Sequence, residues 1–283
     1  MSEETFCTYE TAWCPGCGNF AILECLKVAL EQTGKRPSEV LMAAGIGQAA
    51  KTPQYISANA FCGLHGRSLP AAVAAKIANE KLTVIVDTGD GDSYGEGGNH
   101  FIHNIRRNVN ITHFVHDNQI YGLTKGQASP TSMLGLVTGA QPDGNFNEAL
   151  NPILLAIASG AGFVARAFTG NKEHLISMMR KAIEYDGYAL VDILQPCVSF
   201  NKTNTFAWYS KRVYELDESY NFKNKTDALQ KAMEFGDRIP IGIIYSEQKS
   251  TYHQKNEVLK QNIPLLDRRT DPDMVNRLIK QYI

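Results

Sequence analysis

The feature that most constrains the fold is a regular alternation of short apolar runs and helix-like segments between residues 38 and 200. The apolar runs have the length of strands, and the segments between them are long enough for the crossovers that join parallel strands. This pattern predicts an α/β fold, with a parallel sheet covered by helices on both faces. The predicted strands are 40–44, 82–87, 111–116, 162–167 and 188–194, and the predicted helices are 20–30, 70–79, 97–108, 147–159 and 171–185.

The composition divides the chain into two parts. Residues 1–205 carry the alternating pattern and are expected to form one α/β domain. Residues 206–283 are richer in Lys, Asn, Gln and Tyr, and contain one short apolar run at 239–244. We expect this tail to be an extension that packs on the core or on a partner. A polar loop at 121–145 is longer than ordinary connections, which is typical of functional loops.

The overall composition excludes several classes of protein. The 283 residues carry a net charge of −1, which argues against nucleic acid or an anionic membrane surface as the main partner. No apolar run approaches the roughly 18 residues of a membrane span. The acidic start, Met1-Ser2-Glu3-Glu4, is unlike a secretory signal, so the expected compartment is the cytoplasm. Six cysteines are too few for a disulfide scaffold, so a close pair indicates metal or redox chemistry.

Two polar side chains follow two neighbouring predicted strands. Asp90 comes after the strand at 82–87, and Asn118 comes 28 residues later, after the strand at 111–116. Because parallel strands release their following loops at one edge of a sheet, we expect both side chains there. A carboxylate, an amide oxygen and the backbone carbonyl of Ile120 are ligands that suit Mg²⁺ beside phosphate oxygens. The sequence therefore predicts a site for a magnesium-bound diphosphate.

Glycines near Asp90 support this interpretation. Gly89 and Gly91 allow a sharp turn and let backbone N–H groups approach phosphate oxygens. A helix that starts near Gly97 would direct its N-terminus at the same place. The alternatives are an ordinary turn after a strand and a dinucleotide-binding loop. The second fits poorly, because one residue too many separates Gly91 from Gly95.

A close cysteine pair, Cys14 and Cys17, precedes the first predicted helix. A redox pair of the thioredoxin type is one interpretation, although no strand of useful length comes before it. Half of a structural zinc site is another, although the chain has no second pair of this spacing. Half of an iron–sulfur site is the third, and it requires a cysteine from elsewhere. Cys197 leaves the same sheet edge after the strand at 188–194 and is the third candidate ligand.

Eight short motifs follow one another in order through residues 12–205. Their combination resembles the beta subunits of 2-oxoacid:ferredoxin oxidoreductases, and the spacing from Asp90 to Asn118 is similar to the thiamine diphosphate motif. The tail is similar to this family only weakly. The motifs are Trp13 to Gly18, Gly45 to Gly47, Leu64 to Arg67, Gly89 to Asp92, Gly97 to His100, Asp117 to Gly122, Gly126 to Thr131 and Pro196-Cys197.

The resemblance implies an activity, cofactors and partners. In this family a 2-oxoacid loses CO₂ on thiamine diphosphate, electrons pass through a 4Fe-4S cluster to ferredoxin, and coenzyme A takes the acyl group. Mapped onto this chain, the resemblance assigns Mg²⁺ to Asp90, Asn118 and Ile120. It assigns the cluster to Cys14, Cys17 and Cys197. The implied cofactor-binding residues are Gly89, Asp90, Gly91, Asp92, Asn118, Ile120, Tyr121 and Gly122.

The chain departs from the family at one cluster position. The fourth cysteine commonly follows Gly-Ile-Gly, where this chain has Gln48. A non-cysteine fourth ligand, a smaller cluster and no cluster are all open, and no motif supports Cys62 as a substitute. Lys51 falls where the family places a basic residue facing the 2-oxoacid, which favours larger or dicarboxylic substrates. A solvated surface lysine is the alternative. His65 and Arg67 are candidates to face phosphate or substrate, or else form a structural pair.

The site is expected to be shared with a second chain. Thiamine enzymes require a Glu against the aminopyrimidine ring, supplied by a pyrimidine-binding module. Two modules and the tail would exceed 283 residues if each takes roughly 150–200 residues. We therefore expect a separate alpha subunit, with gamma or delta subunits possible in addition. The alternatives are a thiamine-dependent decarboxylase subunit that passes no electrons and a non-catalytic assembly protein.

Overall fold

The computed structural model describes residues 5–261, 263–269 and 271–283. Within them, the strands are β1 (Val40–Ala44), β2 (Asn59–Cys62), β3 (Thr83–Gly89), β4 (Ile111–Asp117), β5 (Phe163–Phe168), β6 (Tyr188–Leu194), β7 (Val213–Glu215) and β8 (Ile239–Ser246). They form one sheet in the order β2-β1-β3-β4-β6-β5-β8-β7. All neighbours pair in parallel except β5 and β8, which are antiparallel. The predicted α/β fold is confirmed.

Helices cover both faces of this sheet. The helices are α1 (Gly18–Gln32), α2 (Ser68–Ala78), α3 (Gly98–Arg107), α4 (Pro152–Ala158), α5 (Lys172–Glu184), α6 (Phe206–Ser210), α7 (Lys225–Ala232), α8 (Tyr252–Lys255) and α9 (Pro272–Lys280). The buried residues of α1 and α5 pack with Ile85 and Phe114 on one face. Those of α2, α3, α4 and α7 pack with Val84 and Val86 on the other. None of the helices in the described ranges is long and apolar enough to cross a membrane.

The central strands lie close to their predicted bounds because their residues are buried on both faces. Every residue of β4 and β6 is buried, so their aliphatic runs carry a strong signal. The sequence does not predict β2, because it is a short edge strand whose four residues are all exposed. α4 begins only at Pro152, since the side chain of Asn151 accepts the Leu154 N–H at 3.0 Å and caps the helix there.

The tail contributes to the same sheet. Its apolar run becomes β8, beside β5, and β7 follows at the edge. Asn108, which ends α3 in the left-handed conformation at φ 54°, ties this region to the core. Its side-chain oxygen accepts the Tyr188 N–H at 2.9 Å, and its amide nitrogen donates to the Lys249 and Ser250 carbonyls. One side chain thus joins α3, β6 and the segment after β8.

Replacing Asn108 with Ala is expected to lower the free energy of unfolding by about 2–4 kcal/mol. The change removes three hydrogen bonds, one of them fully buried, and places Ala at a position whose backbone is in the left-handed conformation. Denaturant titration of the purified chain would measure this loss. Asn79→Ala is the control, since the side chain of this half-buried residue accepts only the Lys81 N–H, in an exposed hydrogen bond, among the contacts described. Equal stability of the two variants would contradict the assigned role.

Candidate active site

The strands β3 and β4 end side by side at the carboxyl edge of the sheet. Gly89, the last residue of β3, pairs in register with His116 near the end of β4. Asp90 and Asn118 each follow one of these strands directly, so both lie at this edge. They line one cavity of about 490 Å³, counting its open mouth. α/β sheets bind their ligands in clefts at this position, beyond the carboxyl ends of the strands.

The cavity is bordered by every residue that the sequence assigned to cofactor binding. These residues are Gly89, Asp90, Gly91, Asp92, Asn118, Ile120, Tyr121 and Gly122, and His65 borders the cavity as well. Lys51 and Arg67 do not line it. Lys51 is half-buried on the short helix Ala49–Gln54, and Arg67 is exposed just before α2.

The chain winds into a helical turn as soon as β3 ends. Residues Gly91–Glu96 form a wide turn in which the Gly97 N–H donates to the Asp92 carbonyl at 2.9 Å, and α3 continues from Gly98. The expected helix start near Gly97 is thus preceded by this extra turn. The ring of Tyr121 lies against Gly91, where an added Cβ would lie 2.2 Å from the ring. Any larger residue at Gly91 would displace this cavity wall.

Asp90 is fully buried and is held by the long polar loop at 121–145. The hydroxyls of Ser129 and Thr131 both donate to its Oδ2, at 2.5 and 2.6 Å. Burial raises the pKa of the Asp90 carboxyl, and these hydrogen bonds oppose that rise. Sequence reasoning did not assign a role to Ser129 or Thr131. The only available signal was their place in the motif Gly126 to Thr131.

Thr131 links two buried carboxyl groups. Its hydroxyl lies 2.6 Å from Asp90 Oδ2 and 2.8 Å from Asp117 Oδ1. One hydroxyl has one proton to give, so two ionised carboxylates cannot both be satisfied by it. Burial, together with the nearby Asp192 and Asp90, raises the pKa of Asp117 well above its usual range. The shared hydroxyl and the raised pKa together favour the neutral form of Asp117, with Asp90 as the acceptor.

A buried arginine balances the charge behind this site. Arg166 is 2% exposed, and its Nε lies 3.9 Å from Asp192 Oδ2. Tyr94 donates its hydroxyl to Asp192 Oδ1 at 2.8 Å. Burial still raises the pKa of Asp192 to about 6, although Arg166 and Tyr94 both lower it. The sequence offered no signal for this group, because its members come from three distant segments.

Asp92 ties two further loops to the site. Its Oδ1 accepts the backbone N–H groups of Ile46 at 3.0 Å and Gly66 at 2.8 Å, and lies 2.9 Å from His65 Nδ1. Gly45 must lack a side chain here, since an added Cβ would lie 2.1 Å from Asp92 Oδ2. The carboxylate thus fixes the loops after β1 and β2. Asn118 is likewise occupied locally, because its side-chain oxygen accepts the Ile120 N–H at 3.0 Å.

The three candidate cluster cysteines lie in one region. The Cys17 N–H donates to the Cys14 carbonyl at 3.0 Å. Burial raises the pKa of the Cys17 thiol, and the nearby Cys197 and Cys14 raise it further. Gln48 lies in the same area, since Trp13 Nε1 donates to its carbonyl at 2.8 Å. No three Cys, His, Asp or Glu side chains of the described residues converge as ligands of a single ion.

Comparison with known proteins identifies the class of this chain. Residues 39–193 match the family described as "Thiamine pyrophosphate enzyme, C-terminal TPP binding domain". Residues 197–261 match the family of C-terminal segments from the beta chain of pyruvate ferredoxin oxidoreductase. The first match spans more than half of the chain and includes both strand ends at the cavity. The protein therefore contains a thiamine diphosphate-binding domain.

Relatives over almost the whole chain define the family more closely. The chain is 46% identical to the "2-oxoacid:ferredoxin oxidoreductase subunit beta" of Saccharolobus solfataricus, covering 86% of this chain and 84% of that one. It is 43% identical to the "2-oxoglutarate oxidoreductase subunit KorB" of Mycobacterium tuberculosis, over 68% of this chain and 52% of that one. The protein belongs to the beta subunits of the 2-oxoacid:ferredoxin oxidoreductases, an enzyme family.

A solved structure shares the fold. The 2-oxoglutarate:ferredoxin oxidoreductase of Magnetococcus marinus, solved with 2-oxoglutarate, coenzyme A and succinyl-CoA bound, superposes with a TM-score of 0.90 at 33% identity. The match covers 97% of this chain and 93% of that one.

The free energy of unfolding is expected to depend on pH through the carboxyl group of Asp192. Its folded-state pKa of about 6 lies above the usual value of 3.8, so its stabilising contribution is complete below pH 3.8 and lost as the pH rises through 6. Asp192→Asn should remove this dependence, worth on the order of 2–3 kcal/mol. Unfolding titrations at several pH values would compare this variant with Asp143→Asn, an exposed control. Parallel pH curves for Asp192→Asn and the wild type would refute the assignment.

Proposed function

We propose that this chain binds magnesium-bound thiamine diphosphate in the cavity at the ends of β3 and β4. Asp90, Asn118 and the Ile120 carbonyl would hold the cation. The single observation that carries the proposal is that these three residues border one cavity. All three offer oxygen atoms, which are the ligands that Mg²⁺ prefers. Bound there, thiamine diphosphate would supply the carbanion stabilisation needed to decarboxylate a 2-oxoacid.

The residues around Asp90 suit a cation ligand. Ser129 and Thr131 both contact Oδ2, so the carboxylate is held in one orientation. Burial raises the pKa of Asp90, because an ionised carboxylate in this setting lacks solvent. A bound cation would compensate that charge. The beginning of the helical turn at Gly91 adds backbone N–H groups that favour a diphosphate.

Asp90→Asn is expected to weaken magnesium-dependent retention of thiamine diphosphate by at least about 100-fold. The amide keeps the shape of the side chain but lacks the negative charge that attracts the cation. Thiamine content and calorimetric titration of the complex purified with its native partners would measure the loss. Asp143→Asn, at an exposed site, is the matched control. Unchanged cofactor content in the Asp90 variant, with the fold intact, would exclude this metal site.

We also propose that Cys14, Cys17 and Cys197 bind an iron–sulfur cluster, of the 4Fe-4S type in this family. The support is that the three residues lie close together: the Cys17 N–H donates to the Cys14 carbonyl at 3.0 Å, and Cys197 is near enough to add to the rise that burial causes in the pKa of the Cys17 thiol. Their thiolates are the ligand type that such clusters require. Gln48 stands at the position of the usual fourth cysteine, and its side-chain oxygen is buried without a partner among the described residues. That oxygen is available to the remaining iron.

Cys197→Ser is expected to abolish most of the bound iron and sulfide, because one of three thiolate ligands is lost. Metal and sulfide analysis of anaerobically purified complex would test this, with Cys7→Ser as the control at a half-buried cysteine outside the set. The wild type should be brown and should reduce a viologen dye with a 2-oxoacid. Stoichiometric zinc without iron would overturn the cluster. Aldehyde release without dye reduction would favour the alternative, a non-oxidative decarboxylase subunit, which Gln48 keeps in consideration.

We further propose the partners of this subunit. An alpha subunit would carry the pyrimidine-binding module and its Glu, so that the complete site forms between the chains, with gamma or delta subunits as possible additions. Ferredoxin would accept electrons, and coenzyme A would accept the acyl group. Lys51, His65 and Arg67 lie in segments that follow β1 and β2 at the carboxyl edge, where the positive charges of Lys51 and Arg67 and the ring N–H of His65 would favour a 2-oxoacid carboxylate. The cytoplasm is the proposed compartment.

A further inference from the structure

Gln195 occupies an unusual position between the candidate cofactor cavity and the cysteines. It follows β6 directly and precedes Pro196 and Cys197. Its side chain is almost fully buried, at 1% exposure. Its backbone N–H donates to the Asp117 carbonyl at 2.9 Å, next to Asn118. The main chain of Gln195 is therefore fixed to the last residue of β4, directly before the proposed magnesium ligand Asn118.

The side chain of Gln195 points at a cysteine sulfur. Its Nε2 donates to Cys17 Sγ at 3.4 Å. Gly18 makes room for this contact, since an added Cβ there would lie 2.5 Å from Gln195 Cγ. The contact thus depends on a glycine at the first position of α1 and on a glutamine at the end of β6.

The side-chain amide of Gln195 lowers the stability of the fold at one of its two polar atoms. Its side-chain oxygen is buried and has no hydrogen-bond partner among the residues that the structure describes. A buried unsatisfied carbonyl costs free energy, which an apolar side chain of similar shape would avoid. The N–H that Gln195 donates to the Cys17 sulfur at 3.4 Å places a positive dipole end against it, which favours negative charge on that sulfur. Of the two polar atoms of this side chain, only Nε2 makes a hydrogen bond among the described residues.

We propose that Gln195 raises the reduction potential of the iron–sulfur cluster by donating a hydrogen bond to the Cys17 sulfur. The inference rests on the proposed cluster. Reduction adds one electron and makes the cluster and its thiolates more negative, so a donor N–H stabilises the reduced form more than the oxidised form. Gln195 is thus a tuning residue for electron transfer and is not itself a ligand.

The test is a redox titration of the anaerobically purified complex, monitored by electron paramagnetic resonance of the reduced cluster. Gln195→Met removes the donor at similar volume, and Gln195→Leu removes it with a branched apolar side chain and no added charge. We expect a more negative midpoint potential in both variants, with iron and sulfide content unchanged. Gln248→Met is the control, because that exposed amide bonds the Asp186 carbonyl at the opposite end of β6 and should leave the potential unchanged.

The possible results separate this inference from the proposed function. An unchanged midpoint potential in a fully loaded Gln195→Met complex overturns the role of Gln195 and leaves the cluster in place. If the Met variant loses iron, the loaded Leu variant decides: a more negative potential supports the role, and an unchanged one overturns it. A wild-type complex without iron overturns both the cluster and this inference. Loss of iron from both variants also overturns it, because Gln195 would then be needed for assembly.

Discussion

The burial of several carboxyl groups at one edge of the sheet is the constraint on which the rest of the site depends. Asp90, Asp117 and Asp192 are each at most 3% exposed. Placing such groups together without water is costly unless charge is removed or compensated. The protein uses three devices: hydroxyl donors to Asp90, a raised pKa that favours the neutral form of Asp117, and Arg166 beside Asp192. A cation bound at Asp90 would be a fourth.

The loops around the cavity are held by hydrogen bonds to buried carboxyl groups as well as by packing. Asp92 accepts two backbone N–H groups, from the loops after β1 and β2. Ser129 and Thr131 bring the long loop after β4 onto Asp90. The walls of the cavity are therefore arranged by buried carboxylates before any cofactor arrives. Such preorganisation lowers the ordering cost of binding.

The division of roles along the chain follows from the sheet topology. Parallel strands place β1, β2, β3, β4 and β6 with their carboxyl ends on one side, so the cofactor loops and Cys197 share an edge. The tail adds β7 and β8 on the far side of β5, away from β3 in strand order. It therefore extends the sheet, while the predicted ligand residues come from earlier segments. Gln195 lies between the two proposed sites, because it joins the end of β6 to both Asp117 and Cys17.

Local patterns determined the class of fold, the central strands and the two strand ends that carry Asp90 and Asn118. Those features are visible because buried strands are continuous apolar runs, and because each polar residue lies immediately after one. The edge strand β2, the place of β8 in the sheet, and the contacts of Ser129, Thr131, Arg166 and Gln195 were decided only by the tertiary structure. Each depends on segments that lie far apart in sequence. The physical reason is that burial, and not residue type, fixes which hydroxyl, guanidinium or amide must find a partner.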